Sequence, residues 1–225
     1  MIFDAMNVFN NDDPKTNGEE FFYNSIKDKI DVIFDIGCRT DSEFVSFTGE
    51  VHYFDPVPEF IENLKRQTKL NRVAYCNNVG LGDEQKELYY YPRYQSFYNR
   101  ITSCHIDDDR NKILLKIIKG ITYIAENDVK GIDFMKIDTE GFELFVFKGF
   151  EDFLEKVKII QFEYGGTFLD NRIPLLELIT YLDAKGFHKF SYLTSKGTVP
   201  ITNFDDHCQY CNIVCVHKNS DIVPY

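Results

Sequence analysis

The sequence predicts an α/β fold: a doubly wound, mostly parallel sheet of Rossmann-like type with an antiparallel edge. Three observations predict it. Short apolar runs such as VIF at 32–34 and IDFMKI at 132–137 lack strict polar alternation, as strands buried on both faces do. These runs alternate with stretches of helical period. Several of them end on Asp or Asn beside Gly, and the carboxyl ends of strands are where open α/β sheets bind ligands.

Taken in order, residues 1–17 read as a loose lead-in to one domain spanning 1–225. A helix over 18–29 places Phe21, Phe22 and Ile26 on one side. The strand at 32–36 turns at Gly37. Thr40 with Glu43 three residues on forms a capping box, so a short helix starts there and Gly49 ends it. A strand at 51–55 leads to a helix over 58–70, with Pro58 in its first turn and Phe60, Ile61 and Leu64 sharing a face. Strands follow at 73–78, 86–91 and 112–119, with a polar, aromatic loop over 94–109. A helical turn at 122–127, a strand at 132–137, helices at 142–148 and 150–154 and a strand at 159–164 come next. The helix over 173–185 stops at Gly186, and strands at 187–193 and 210–216 form the antiparallel edge.

The chain has 225 residues, 44% of them apolar, enough for one α/β domain with a full core. Its net charge of -11 repels phosphate, which argues against nucleic acid and against an anionic membrane surface as partners. No apolar run is long enough to span a bilayer, and the N-terminus lacks the pattern of a signal peptide, so the expectation is cytoplasmic. The six cysteines include a CxxC at Cys208 and Cys211, with Cys215 and His217 beyond. One such pair is a weak zinc signal, and YCNIVCV at 210–216 reads equally as a strand with small buried thiols.

Four sites sit at predicted strand ends: Asp35-x-Gly37, Asp55, Asn78-Val79-Gly80 and Asp138-x-Glu140-Gly141. The doubly wound geometry brings such ends to one crevice. Asp55, at the end of the second strand, is placed to accept hydrogen bonds from both hydroxyls of a ribose. Gly37 lets backbone approach a ligand closely. The glycine pattern is not the dinucleotide fingerprint, since Arg39 and Asp41 stand where further glycines belong. Asp41 and Glu43 put negative charge at the helix N-terminus where a pyrophosphate would sit. The same charge suits S-adenosylmethionine, which has a ribose, no phosphate and a positive sulfonium and amino group. Asp41 and Glu43 also serve simply as first-turn acids complementing the helix dipole.

VIFDIG at 32–37, VHYFDP at 51–56, NVGLGD at 78–83 and above all MKIDTEGFELFVFKG at 135–149 resemble the FkbM-type S-adenosylmethionine-dependent methyltransferases, and IQFEY at 160–164 fits the strand that follows in that family. The resemblance covers 31–164. It implies the class I methyltransferase fold and methylation of hydroxyl groups, often on sugars. By position it implies that Asp35, Gly37 and Cys38, with Asp41 beside them, hold the methionine end. Asp55 and Pro56 would hold the ribose, Asn78, Val79 and Gly80 would flank the adenine, and Asp138 would sit by the methyl group. Asp41 departs from the family pattern, which has a further glycine there.

A neutral sugar hydroxyl is a poor nucleophile, so a base or a metal helps the transfer. Asp138 and Glu163 are expected at the ends of neighbouring strands, as a base and a positioning acid or as ligands of a divalent cation, Mg²⁺ or Mn²⁺. Glu140 either faces the acceptor or the following helix N-terminus. His105 is the further candidate base, with His207 as a second. Tyr94, Phe97, Tyr98, Asn99 and Arg100 lie in the loop before His105, and aromatic rings with Asn and Arg suit a sugar acceptor. Two other readings stay open at this point. One is a non-catalytic nucleotide- or glycan-binding module on the same fold. The other is an NAD-dependent dehydrogenase, which the incomplete glycine pattern disfavours.

Overall fold

The structure, a computed structural model, describes residues 13–92, 95–97, 111–207 and 209–222. Its main sheet contains β1 (Val32–Ile36), β2 (Glu50–Phe54), β3 (Val73–Asn77), β7 (Ile132–Ile137), β8 (Val157–Tyr164), β9 (Phe187–Thr194), β10 (Gly197–Pro200) and β11 (Cys211–His217). The spatial order is β10-β9-β11-β8-β7-β1-β2-β3. The pairs β3·β2, β2·β1, β1·β7 and β7·β8 are parallel; β8·β11, β11·β9 and β9·β10 are antiparallel. The chain runs outward from β1 to β3 and then returns to β7 on the other side of β1. That reversal between β1 and β7 is the switch point at which such sheets form a crevice. The parallel sheet and its antiparallel edge are as the sequence predicts; β10 is an addition, because a four-residue edge strand carries too little pattern to read.

Burial explains the unbroken apolar runs. Phe34, Ile36, Met135, Ile137, Ile160 and Phe162 enter one core cluster, beneath α4 (Gly120–Glu126), α5 (Glu143–Phe150) and α7 (Leu175–Ala184). Their neighbours Ile33, Phe134 and Ile159 point the other way, into a second cluster with Phe22 and Ile26 of α2 (Glu19–Ile26) and Ile61 and Leu64 of α3 (Pro58–Leu64). A smaller sheet, order β4-β6-β5, joins β4 (Gly80–Gly82), β5 (Lys86–Tyr90) and β6 (Ile113–Lys119). Among the described residues, no helix is long and apolar enough to cross a membrane.

Several expectations are corrected. The stretch 13–17 is not loose: Asp13 caps a short helix, α1 (Pro14–Asn17), by accepting the Lys15 N–H at 3.0 Å. Phe21 is 42% exposed, while Phe22 and Ile26 are buried. The capping box at Thr40 does not form. Ser42 caps instead, accepting the Phe44 N–H at 3.2 Å, and only a 3-10 turn follows over Glu43–Ser46. Glu43 is unavailable for the box because its carboxylate turns inward to Lys136, 3.2 Å away. The stretch 150–154 is likewise a 3-10 turn (Glu151–Lys156), and a short helix, α6 (Gly166–Asp170), follows β8.

Candidate active site

The ends of β1, β2, β7 and β8 converge on two adjoining cavities. The larger, about 230 Å³, is lined by Asp35 on β1 and Gly37, Cys38, Arg39, Asp41, Ser42 and Glu43 after it, by Lys136 and Asp138 on β7 and just beyond it, by Glu163 on β8, and by Pro14, Asn17 and Glu19 from the N-terminal segment. The smaller, about 70 Å³, is lined by Asp55, Pro56, Phe60, Tyr90, Gln95, Phe97, Thr139 and Glu140. Gly37, Arg39 and Asp138 line both, so the two form one crevice across the switch point.

Backbone geometry holds the crevice open. Gly37 has φ +84°, and a Cβ there would lie 1.9 Å from the carbonyl oxygen of Asp138. The glycine is therefore required by the close approach of the β7 turn, which the Asp138 N–H seals by donating to the Ile36 carbonyl at 2.9 Å. Gly37 also lines both cavities, where the sequence expects it beside a ligand. Arg39 also takes a left-handed backbone, φ 51°, so the position read as a missing glycine adopts a glycine-like conformation. On β7's side Glu140 (φ 55°) and Gly141 (φ 94°) are left-handed in succession. Strained backbone of this kind gathers at functional sites. Glu143, fully buried, braces the turn by accepting the Thr139 N–H at 2.8 Å, and burial lifts its carboxyl to about 8.

Electrostatics differ along the crevice. Asp35 is 4% exposed and burial raises it to about 7, against the pull of Lys136 and of the Ser42 hydroxyl that donates to it. Asp55 is as deeply buried and is raised to about 6 by burial, although it accepts the Val57 N–H at 2.8 Å and the Arg39 N–H at 3.2 Å. Each carboxylate oxygen of Asp55 thus already holds one backbone donor and keeps capacity for another. Lys136 is mostly covered, its side chain 15% exposed. Burial opposes its charge, but Glu43 and Glu19 hold it protonated. Carboxylate oxygens of Asp138, Glu140 and Glu163 lie within 4.8 Å of one another, close enough to share one metal ion, and Asp138 stands where the two cavities meet.

The structure thus brings together Asp35, Gly37, Cys38, Asp41, Asp55, Pro56, Asp138, Glu140 and Glu163. Asn78, Val79 and Gly80 line neither cavity. Asn78 spends its side-chain amide on the carbonyls of Asp55 (3.1 Å) and Pro56 (2.9 Å), fixing the turn after β2. His207 lines neither cavity: Nδ1 meets the Gln209 carbonyl at 2.9 Å, and its ring packs edge-on against Tyr164. Cys211 and Cys215 are buried thiols within β11, and burial pushes both up, as a core strand predicts. Among the described residues, the only metal-capable cluster is the three carboxylates. Tyr94, Tyr98, Asn99, Arg100, Cys104, His105 and Cys208 lie outside the described residues. The sequence reading missed Glu19, Lys136, Phe60, Tyr90 and Gln95. Of these, Lys136 carried a signal, a cation within the mostly apolar strand IDFMKI.

Residues 39–189 match the methyltransferase FkbM domain. The chain belongs to the FkbM methyltransferase family. Membership of a methyltransferase family supports S-adenosylmethionine as the cofactor and sets the dehydrogenase reading aside. The chemistry of the crevice suits such a cofactor: its buried acids complement positive charge, and Asp55 offers two acceptor oxygens of the kind that a ribose requires. The FkbM methyltransferase of Methylobacillus flagellatus KT is 14% identical with a TM-score of 0.48; the match covers 82% of this chain, which spans only 43% of that one. A Streptococcus mutans methyltransferase-like protein in complex with SAH is 11% identical, TM-score 0.49, covering 89% and 97% of the two chains. An rRNA methylase of Streptococcus thermophilus is 8% identical, TM-score 0.49, covering 89% and 96%. No curated protein matches the chain in sequence.

Proposed function

We propose that this FkbM-family methyltransferase methylates a hydroxyl oxygen, on a sugar or glycan acceptor. The observation that carries the reading is the trio Asp138, Glu140 and Glu163 at the junction of the cavities. The methionine end fits the larger, charged cavity and the ribose the smaller one, so the methyl group falls between them, beside the trio. Bound there, S-adenosylmethionine supplies an electrophilic methyl carried on a sulfonium. The acceptor oxygen forms its bond to the methyl carbon as the carbon–sulfur bond breaks, leaving a methyl ether and S-adenosylhomocysteine. The acceptor proton goes to a carboxylate of Asp138 or Glu163, with Glu140 accepting a hydrogen bond from a neighbouring hydroxyl. Three acceptor-only groups in a row suit a polyol, and a chain of charge -11 disfavours a polyanion. Much of the rate comes from in-line positioning.

The spacing of the trio favours a second reading of the same residues. Three carboxylates within 4.8 Å suit a hard divalent cation with oxygen ligands. Held there, the ion would acidify the acceptor hydroxyl. The experiment is methyl transfer to a panel of glycans and polyols, with and without Mg²⁺ or Mn²⁺. Transfer to a hydroxyl acceptor supports the proposal. Activity that survives a chelator removes the cation, and methylation of nitrogen or carbon alone removes the O-methyltransferase.

A further inference from the structure

Lys136 is a cation on a central strand of the parallel sheet, and it lines the larger cavity. Its register neighbours are Asp35 on β1 and Gln161 on β8. Its ammonium pairs with Glu19 Oε1 at 2.9 Å and Glu43 Oε2 at 3.2 Å. Glu19 is held in turn by Gln161 Nε2 (2.9 Å) and Asn17 Nδ2 (2.8 Å). An ammonium has three donors, and these two pairs use two. Glu43 Oε1 is buried with no hydrogen-bond partner among the described residues, which is costly unless a ligand supplies a donor.

The charge around this lysine defines a problem. Six acids line the cavity, Glu19, Asp35, Asp41, Glu43, Asp138 and Glu163, against two cations, Lys136 and Arg39. Such a site attracts the ammonium and sulfonium of the cofactor but repels its α-carboxylate. A ligand with both charges needs one positive point placed among the acids. We infer that Lys136 is that point: its Nζ donates to the α-carboxylate of the cofactor's amino-acid end, while Glu43 Oε1 accepts from the α-ammonium. The pair reads the zwitterion as a unit, and Glu19 fixes the lysine from the N-terminal segment. The inference rests on S-adenosylmethionine occupying the crevice.

The test is calorimetric binding of three ligands to the intact chain. S-adenosylhomocysteine carries both charges, its decarboxylated analogue keeps only the amine, and methylthioadenosine lacks the amino-acid end. The wild type should prefer S-adenosylhomocysteine to the decarboxylated analogue by about 10- to 100-fold, the range of a charge-assisted hydrogen bond. Lys136→Met should abolish that preference and leave methylthioadenosine unchanged, and Lys136→Arg should restore part of it. Glu43→Gln should weaken both amine-bearing ligands and spare methylthioadenosine. Equal affinity of the wild type for S-adenosylhomocysteine and its decarboxylated analogue overturns the inference, even if Lys136→Met does not fold. So does a Lys136→Met variant that loses all three ligands alike, the mark of a purely structural lysine. If the wild type binds none of the three, the cofactor assignment falls and takes this inference with it.

Discussion

The two halves of the crevice recognise by different physics. The larger cavity is a charged chamber in which six acids surround Lys136 and Arg39, roofed by α1 and the start of α2. The smaller is a narrow slot in which Pro56, Phe60, Tyr90 and Phe97 supply shape and Asp55 supplies a two-oxygen acceptor. The contrast predicts that affinity on one side depends on ionisation and on the other on a single well-held carboxylate among rings. Asp138 and Glu163 of the chamber and Glu140 of the slot meet at the junction, where the proposed chemistry lies.

The largest effect is expected where the junction is broken. Asp138→Asn and Glu163→Gln should each lower turnover by about 100-fold or more, the scale of a lost general base, while S-adenosylhomocysteine affinity changes less than about tenfold. A fall in affinity as large as that in turnover would move these residues from chemistry to binding.

Next comes the slot. Asp55→Ala should cost about 10- to 100-fold in affinity for S-adenosylhomocysteine, because hydrogen bonds to a charged group are the strong ones. The structure adds a consequence. Asp55 also holds the N–H groups of Arg39 and Val57, so the alanine variant should melt lower as well. Asp55→Asn, which keeps one acceptor oxygen, should lose less stability. Unchanged affinity in both variants would sink the ribose assignment.

Then comes the chamber's dependence on pH. In the free protein burial keeps Asp35 neutral below about 7 and Asp55 neutral below about 6. A ligand bearing an ammonium and hydroxyl donors binds the ionised forms better, so the bound protein releases protons. Affinity for S-adenosylhomocysteine should therefore rise from pH 5 towards about 7 and level off above it. In titrations between those limits, the binding enthalpy should change with the buffer's ionisation heat. An affinity that is flat or falls over this window would contradict the charged-chamber account.

The smallest effect should come from Phe97→Ala. Phe97 packs 5.7 Å from the ring of Tyr90 and 5.4 Å from that of Phe142, and aromatic pairs of this kind are modest contributors. A loss of about two- to tenfold in affinity is expected by calorimetry, with little change in the pH profile. A larger loss would make the slot, not the chamber, the main source of binding.

How much of this was legible in the sequence depends on how local each feature is. The parallel strands and the acids at their ends were legible, because buried runs and strand-end Asp and Gly residues are marked within a few positions. Asp35, Asp55, Asp138 and Glu163 came together because the fold class dictates where such ends meet. The chamber roof was not legible: Glu19 reaches Lys136 and Gln161 across most of the chain, and nothing near Glu19 announces it. The capping box failed for the same reason, since Thr40 and Glu43 satisfy a local rule that a distant lysine overrides. Gly37 meets a second demand that the sequence does not show, the close backbone of Asp138. Asn78 lines neither cavity, and its amide is consumed by the turn after β2.

The central claim is that the crevice between β1 and β7 holds S-adenosylmethionine, and calorimetric titration of the wild-type chain with S-adenosylhomocysteine and, separately, with NAD tests it most directly. The account predicts saturable one-to-one binding of S-adenosylhomocysteine, weakened by Asp55→Ala, and no binding of NAD, whose pyrophosphate would meet the acids of the chamber. Binding of NAD with no binding of S-adenosylhomocysteine would contradict it.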